Sequence, residues 1–552
     1  MQKGRNVPVA IMNKLTEANA ARYTLILILV TFVLRVLIAA YTGLGIGEAY
    51  YFRGVLHLEW SYFDQPPLFF WLSWLSVKVF GLTNLGLRFP AVLLFAGTSW
   101  LLFLITKKLF TAKAGFWAIV VMNLSAVFTV AIACWFQPDA PLMFFWLASA
   151  YFIVQLTFGQ EGKEEETIRN SRRTWLLWIL TGVSLGLATL SKYHVLFIFA
   201  GVFMYLGTNK NLRHWLRHPG PYLAVLITII FAFPVLWWNY NNNWASFVFQ
   251  GSRVGTGHKF QFHIEWFLRS ILGQSLWLLP WIWVPTIREL FRSFMLRKTL
   301  RAYSFSFWLS ILPIVFFTVV TLWADLEYHF HWQAPGYMML FIPLGFAIDK
   351  NLNGEERSRR SVRRWLNFSI CFTVIVIGVL GLHTVTGFWQ SYGPKWVVNQ
   401  FVPNSIDPTM QGVDYNDIGT RFEKEGWIQN KKIFAGSDRW WLTGKVDWAL
   451  KGEKEIICLS PDPRNLAFLV DPKTLLGEDA VFVAQDSQKS IDYDVKPFFD
   501  DIKRLPDITI VRNGVTEVYL QVYYCKNFHQ SKQPRNDLPL YRQLNGLPPF
   551  GK

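Results

Sequence analysis

The first 389 residues read as a series of long apolar runs separated by short polar ones. A helix needs roughly 20 apolar residues to cross a bilayer. On that measure eleven spans are predicted, near 23–44, 86–106, 114–133, 141–158, 175–190, 195–208, 221–238, 268–287, 303–323, 334–348 and 365–387. Several contain Gly or Pro, which membrane helices tolerate better than soluble ones. From residue 390 the pattern changes. Runs such as EIICL, LAFLV and AVFVAQ read as short strands, and Asn513-Gly514 between two alternating β-rich runs is a hairpin signal. The expectation is an α-helical polytopic membrane protein with about 11 transmembrane helices over 1–389. A soluble α/β or α+β domain over 390–552 follows it.

Composition supports this reading. The chain is 52% hydrophobic, 17% aromatic and only 16% charged, whereas an average soluble protein is about one-quarter charged. A formal charge of +17 invites a nucleic-acid reading. However, residues 1–389 hold 33 Lys/Arg against 16 Asp/Glu, and the remainder holds 21 of each. The excess belongs to the apolar half, so no nucleic-acid partner is implied. Its cations fall in alternate loops, among them Lys107, Lys108 and Lys113, then Lys210, Arg213 and Arg217, then Arg357 to Arg364. The positive-inside rule makes those loops and the N-terminus cytoplasmic, and the C-terminal domain periplasmic or extracytoplasmic.

The same rule settles residues 66–82, PPLFFWLSWLSVKVFGL. If they spanned the membrane, every later loop would invert, so 47–83 read as one outer loop with interfacial helices rich in Trp, Tyr and Phe. The long basic N-terminus has no clear small-residue cleavage site, which favours a retained first helix over a signal peptide. Four cysteines are too few and scattered for a disulfide scaffold or a zinc site. Cys458 and Cys525 would face an oxidising compartment, as a disulfide or as two free thiols.

With that topology the polar residues gather in the outer loops. Glu48, Glu59 and Asp64 lie in the first, Asp139 in the second, and Lys192, Tyr193 and His194 in the third. Asn239, Arg253, His258 and Lys259 lie in the fourth, and Asp325, Glu327, His329 and His331 in the fifth. Acids, cations and imidazoles at an aromatic-lined interface fit action on an amphiphile. Each group also has a plainer role. Asp139 suits a helix cap, Asp64 a turn before two prolines, and Lys192 a snorkelling helix end. Arg35, midway along the first span, is a costly charge that is normally paired or functional.

The motifs Glu48-Ala-Tyr-Tyr51, Tyr62-Phe-Asp-Gln-Pro-Pro-Leu68, Pro138-Asp-Ala-Pro-Leu142 and Leu190-Ser-Lys-Tyr193 occur in order. Pro234-Val-Leu-Trp-Trp-Asn239, Trp244-Ala-Ser-Phe247 and His331-Trp-Gln-Ala-Pro-Gly-Tyr337 follow. Together they resemble the bacterial glycosyltransferases related to dolichyl-phosphate-mannose protein mannosyltransferases. The resemblance implies a GT-C enzyme of the bacterial cytoplasmic (inner) membrane. Such an enzyme moves a sugar from a polyprenyl-phosphate-linked donor to a lipid, glycan or protein acceptor on the outer face. Where the family has Asp-Glu in the first loop, this chain has Gly47-Glu48, and Gln65 stands where relatives often carry His or Lys. The carboxylate accepting the acceptor's proton is then Glu48, Asp139 or Asp64. Lys192, Arg253 or Lys259 would stabilise the leaving phosphate. Tyr50, Tyr51 and Trp60 would meet sugar or prenyl chain, with Tyr193, Asn239, His331 and Trp332 as further substrate-binding candidates. A divalent metal near Asp64 and the histidines is compatible with this chemistry but not implied. Two rival classes are a transporter or lipid flippase, which predicts deep ionisable groups and inverted repeats, and a relative that binds the carrier without turnover.

Overall fold

All eleven apolar runs fold as helices in the computed structural model, which describes residues 14–158, 171–255, 261–326, 328–394, 396, 407–485 and 490–550. In chain order the helices are α1 (Ala20–Tyr41), α2 (Ile46–Leu56), α3 (Leu68–Phe80), α4 (Asn84–Leu109) and α5 (Ala112–Leu124). Next come α6 (Asp139–Phe158), α7 (Arg172–Thr189), α8 (Val195–Thr208), α9 (Pro219–Asn241) and α10 (Ala245–Val254). The series ends with α11 (Ile264–Leu278), α12 (Pro280–Leu296), α13 (Arg301–Val319), α14 (Ala334–Leu352) and α15 (Glu356–Thr386).

Among the described residues, six helices are long and apolar enough to cross a membrane: α1, α4, α6, α9, α13 extended to Leu322, and α15. α8 is followed by the short helix Lys210–Arg217, bent 120° from it, and the count reaches seven only if that pair is taken as one span. The protein is a multi-pass membrane protein, and some of the eleven runs bend or break along their length. Run 114–133 divides into α5 and a π-helical turn, Val127–Ile132. Run 268–287 breaks at Leu279, whose φ of 74° leaves the helical region just before Pro280 opens α12. A proline drives its preceding residue out of the helical region.

The chain forms two compact units, Met1–Leu37 with Phe89–Pro234 and Gln250–Val376, and Ile38–Arg88 with Val235–Phe249 and Ile377–Lys552. In the first unit α6 packs on α7, α5 on α14, and α13 on both α14 and α8. The mid-span Arg35 is paired, as its cost demands. It donates to Asn123 Oδ1 at 2.6 Å and lies 4.5 Å from the Phe95 ring centre.

The second unit contains a five-stranded sheet of β1 (Ile433–Ser437), β2 (Ile456–Cys458), β3 (Asp479–Ala484), β4 (Phe499–Arg512) and β5 (Val515–Phe528), ordered β2-β1-β3-β5-β4. β1 runs parallel to β2 and β3, and β5 is antiparallel to β3 and β4. Asn513 and Gly514 turn the β4–β5 hairpin with φ of 49° and 78°, the left-handed pair that a two-residue hairpin requires. Ile433, Val481, Ile508 and Val522 bury one face with Phe422 of α16 (Asn416–Lys424) and Leu442 of α17 (Trp440–Ala449). Phe434, Phe482, Phe498 and Leu540 bury the other. The domain is α/β. Cys458 and Cys525 are both buried free thiols. They lie on β2 and β5 with β1 and β3 between, about 14 Å at normal strand spacing, and a disulfide cannot bridge that distance.

The loop between α1 and α4 belongs to this unit and docks on α17. Gly444 lies so close to the Tyr50 backbone that a Cβ there would collide with it. Buried Arg53 pairs with Asp447 at 3.3 Å and Glu455 at 2.9 Å. The Lys445 ammonium donates to the carbonyls of Leu44, Gln411 and Val413.

Candidate active site

In the first unit the site is built where α6 and α8 begin and α14 is about to begin. Asp139 opens α6, and α7 ends just before Lys192. Lys192 Nζ lies 2.9 and 3.1 Å from the two Asp139 carboxylate oxygens, and both residues are buried. Trp332, in the segment leading into α14, is the hub. Lys192 Nζ sits 5.9 Å and the Arg253 guanidinium 4.8 Å from its ring centre. The rings of His194 and His329 approach it at 5.6 and 4.6 Å. Arg253, near the end of α10, meets His329 Nε2 at 2.7 Å. His194 stacks on Phe317 at 4.5 Å. One carboxylate, two cations and three imidazoles, counting His331 beside Trp332, thus share an aromatic-walled corner.

The imidazoles are held neutral. Burial, with Lys192 and Arg253 adding to it and Asp139 opposing, pushes His331 down to about 4. Burial and Arg253 push His329 down to about 3, and burial takes His194 well below its usual range. Burial also lowers Lys192, against the pull of Asp139. With the histidines neutral, two cations face one carboxylate, and the corner suits an anion. A prediction follows from the sign. Below pH about 6.5 the unfolded chain takes a proton on His331 that the folded chain refuses until about 4, so stability should fall as pH drops through that window. Thermal melts between pH 7.5 and 4.5 should show this decline, and a shallower one in His331→Gln; identical slopes would refute it.

Other expected residues have structural surroundings. Tyr193 follows Lys192 and is half-buried. Lys259, His258 and Glu327 lie outside the described residues. Asn239, in the second unit and fully buried, donates to the Val235 carbonyl, while its side-chain oxygen accepts from the Phe247 N–H at 3.3 Å. It therefore pins the turn that carries Asn243 and Trp244 at positive φ.

The first loop makes its own cluster within the second unit. Glu48 and Arg88 are buried in a two-pronged pair, Nε–Oε1 at 2.7 Å and Nη2–Oε2 at 2.6 Å. Arg88 also donates to the Thr42 and Gly43 carbonyls, and Glu48 Oε2 accepts the Gly45 N–H. Tyr50 packs at 5.0 Å from both Tyr51 and Trp440, and its oxygen accepts the Asn465 N–H at 2.8 Å. The Phe63 N–H donates to Asn465 Oδ1 at 3.0 Å. Asp64 is buried near Tyr50 and Arg464; burial first and Asp64 second push the Tyr50 hydroxyl well up. Arg464 stacks 3.9 Å from the Trp440 ring centre and pairs with Asp462 at 3.1 Å. Among the described residues no three His, Cys, Asp or Glu are arranged to hold a metal ion. Arg88 and Arg464 were not among the candidates read from sequence. Arg88 stood at a span edge, which was a weak signal, and Arg464 gave none.

The architecture is that of a GT-C membrane protein with an α/β C-terminal domain. The fold matches the structures of ArnT from Cupriavidus metallidurans, in the apo state and bound to undecaprenyl phosphate. Each has a TM-score of 0.62 at 14% identity, covering 91% of this chain and 98% or 97% of the other. Residues 64–238 match the model of the family described as dolichyl-phosphate-mannose-protein mannosyltransferase. A putative mannosyltransferase YkcB from Bacillus subtilis (strain 168) is 25% identical over 175 residues, 31% of this chain and 23% of that protein. A protein of Aquifex aeolicus (strain VF5) is 33% identical over 89 residues, 16% of this chain and 18% of its own. The matched stretches span less than a quarter of either relative. The chain has the fold of the ArnT structures, and its residues 64–238 are similar to the family described as dolichyl-phosphate-mannose-protein mannosyltransferase.

Proposed function

We propose that this protein is a glycosyltransferase moving a sugar from a polyprenyl-phosphate-linked donor to a lipid, glycan or protein acceptor. The reaction would take place at the outer face of the bacterial cytoplasmic membrane, with the N-terminus inside and the α/β domain outside. The observation that carries this reading is the corner around Trp332, where Lys192 and Arg253 supply fixed positive charge beside neutral imidazoles. The undecaprenyl phosphate in one ArnT structure supports a polyprenyl phosphate as the carrier.

The acceptor oxygen attacks the anomeric carbon as the bond from that carbon to the phosphate oxygen breaks. A carboxylate takes the acceptor's proton, and polyprenyl phosphate leaves with the bonding electrons. Lys192 and Arg253 stabilise the growing charge, more strongly out of water than in it. Among the three candidate carboxylates, Glu48 and Asp139 each hold a cation with both oxygens. Glu48, Asp139 and Asp64 all stay candidates for the proton acceptor in this reading, to be told apart by substitution.

Purified protein in nanodiscs, given a radiolabelled polyprenyl-phosphate sugar and a panel of acceptors, should transfer label. Arg253→Gln should raise the donor KM roughly 10- to 100-fold, the worth of a charge-assisted contact. Donor binding without transfer to any acceptor would favour the carrier-binding reading instead.

A further inference from the structure

An apolar cavity of about 150 Å³ lies in the first unit among α6, α7, α8 and the start of α9. Its rim, at Trp178, Leu206 and Tyr222, lies toward the ends of α7 and α8 away from Asp139 and Lys192. Its wall includes Trp178 on the second turn of α7, Leu206 on the last turn of α8, and Tyr222 near the start of α9. On α7, Trp178 stands 14 residues before Lys192, about 21 Å along the axis, and Leu185, the nearest wall residue, stands 7 before it, about 10 Å. The wall is a hydrocarbon surface. Its hydroxyls are satisfied by backbone carbonyls: Ser149 donates to that of Trp146, Thr181 to that of Leu177 and Tyr222 to that of Leu216. Phe203 and Tyr222, on the wall, are 61% and 62% exposed, so the cavity opens on the lipid-facing side.

The rim differs from the wall. The helix Lys210–Arg217 turns 120° from α8 and buries Leu212 and Trp215 while exposing Lys210, Arg213 and Arg217. This is the pattern of a helix lying at the membrane surface. Leu216 lines the cavity beside Arg217, and Tyr222 Oη donates to the Leu216 carbonyl at 2.7 Å, tying α9 to this helix. Exposed Arg172 and Arg173 open α7 less than two turns from Trp178. The Trp178 indole N–H is buried and has no hydrogen-bond partner among the described residues.

We propose that this cavity is a binding site for an anionic phospholipid of the leaflet on the cation-rich side. One acyl chain fills the cavity, the phosphate meets Arg213, Arg217 and the start of α7, and an ester oxygen accepts the Trp178 N–H. The occupant is argued from charge complementarity. A predominantly apolar wall takes a hydrocarbon tail, and basic surfaces between membrane helices on the cytoplasmic side recognise anionic lipid headgroups.

The test uses the full-length protein, mixed with phosphatidylglycerol and phosphatidylcholine in mild detergent and examined by native mass spectrometry. Wild type should retain phosphatidylglycerol in preference to phosphatidylcholine. The double variant Arg213→Gln/Arg217→Gln, altered only at exposed positions, should lose roughly thirtyfold in retention, about tenfold per 1.4 kcal/mol with about 1 kcal/mol for each cation. Val202→Trp, which fills the cavity, should lose the lipid with the cations intact. Equal retention of both lipids, unchanged retention in both variants, or displacement by an equal amount of undecaprenyl phosphate would overturn the proposal. Arg213 and Arg217 lie beyond the end of α8 away from Lys192, so sugar transfer in their double variant reports on the catalytic corner independently.

Discussion

Lys192→Met is expected to cost about 3–5 kcal/mol of stability, because it leaves the Asp139 carboxylate buried without its cation. Asp139→Asn, which strands the ammonium instead, should cost a similar amount. The double variant Asp139→Asn/Lys192→Met removes both charges, so it should recover most of the loss. Turnover should not recover with it. If Lys192 stabilises the leaving phosphate, its removal costs about 10²- to 10³-fold in kcat, and restoring the fold cannot replace it. Thermal unfolding and label transfer on the three variants separate the two roles. A double variant that folds and transfers at the wild-type rate would reduce the pair to a structural strut.

That pair also marks the limit of what the sequence could disclose. Lys192 and Asp139 were each visible as ionisable residues beside apolar runs, where a charge is unusual enough to notice. Their partnership, across 53 positions, is a product of α6 packing on α7, and no local pattern encodes it. The same holds for Arg253 with His329 and for Glu48 with Arg88. Helix positions were legible because burial in lipid demands continuous apolar runs. The break at Leu279 was less so, because Pro is tolerated inside α13 and α14 yet separates α11 from α12. The β4–β5 hairpin was legible because Asn-Gly satisfies a strict backbone requirement. Least legible was the fate of the first loop. Its aromatic residues read as headgroup anchors or sugar platforms. Tyr50 packs on Trp440, and Arg53 reaches Asp447, 394 positions away, contacts that no local pattern announces.

The first loop supplies the second large effect, because two of its carboxylates should fail in different ways. Glu48 ends in a two-pronged pair with Arg88, and Arg88 in turn holds the Thr42 and Gly43 carbonyls where α1 gives way to the loop. Glu48→Gln therefore strands a buried guanidinium and should cost about 3–5 kcal/mol. Any lost activity should follow the lost fold, and Arg88→Gln should match it. Asp64→Asn keeps the shape of the side chain, and its neighbour Arg464 still has Asp462 at 3.1 Å. The melting temperature should thus stay near wild type. If Asp64 accepts the acceptor's proton, kcat should fall about 10²- to 10⁴-fold with little change in donor KM. Gly47 adds no carboxyl group to this loop, so the proton must go to another residue. Were Glu48→Gln to melt like wild type and abolish transfer while Asp64→Asn stayed active, Glu48 would be the base despite its guanidinium partner.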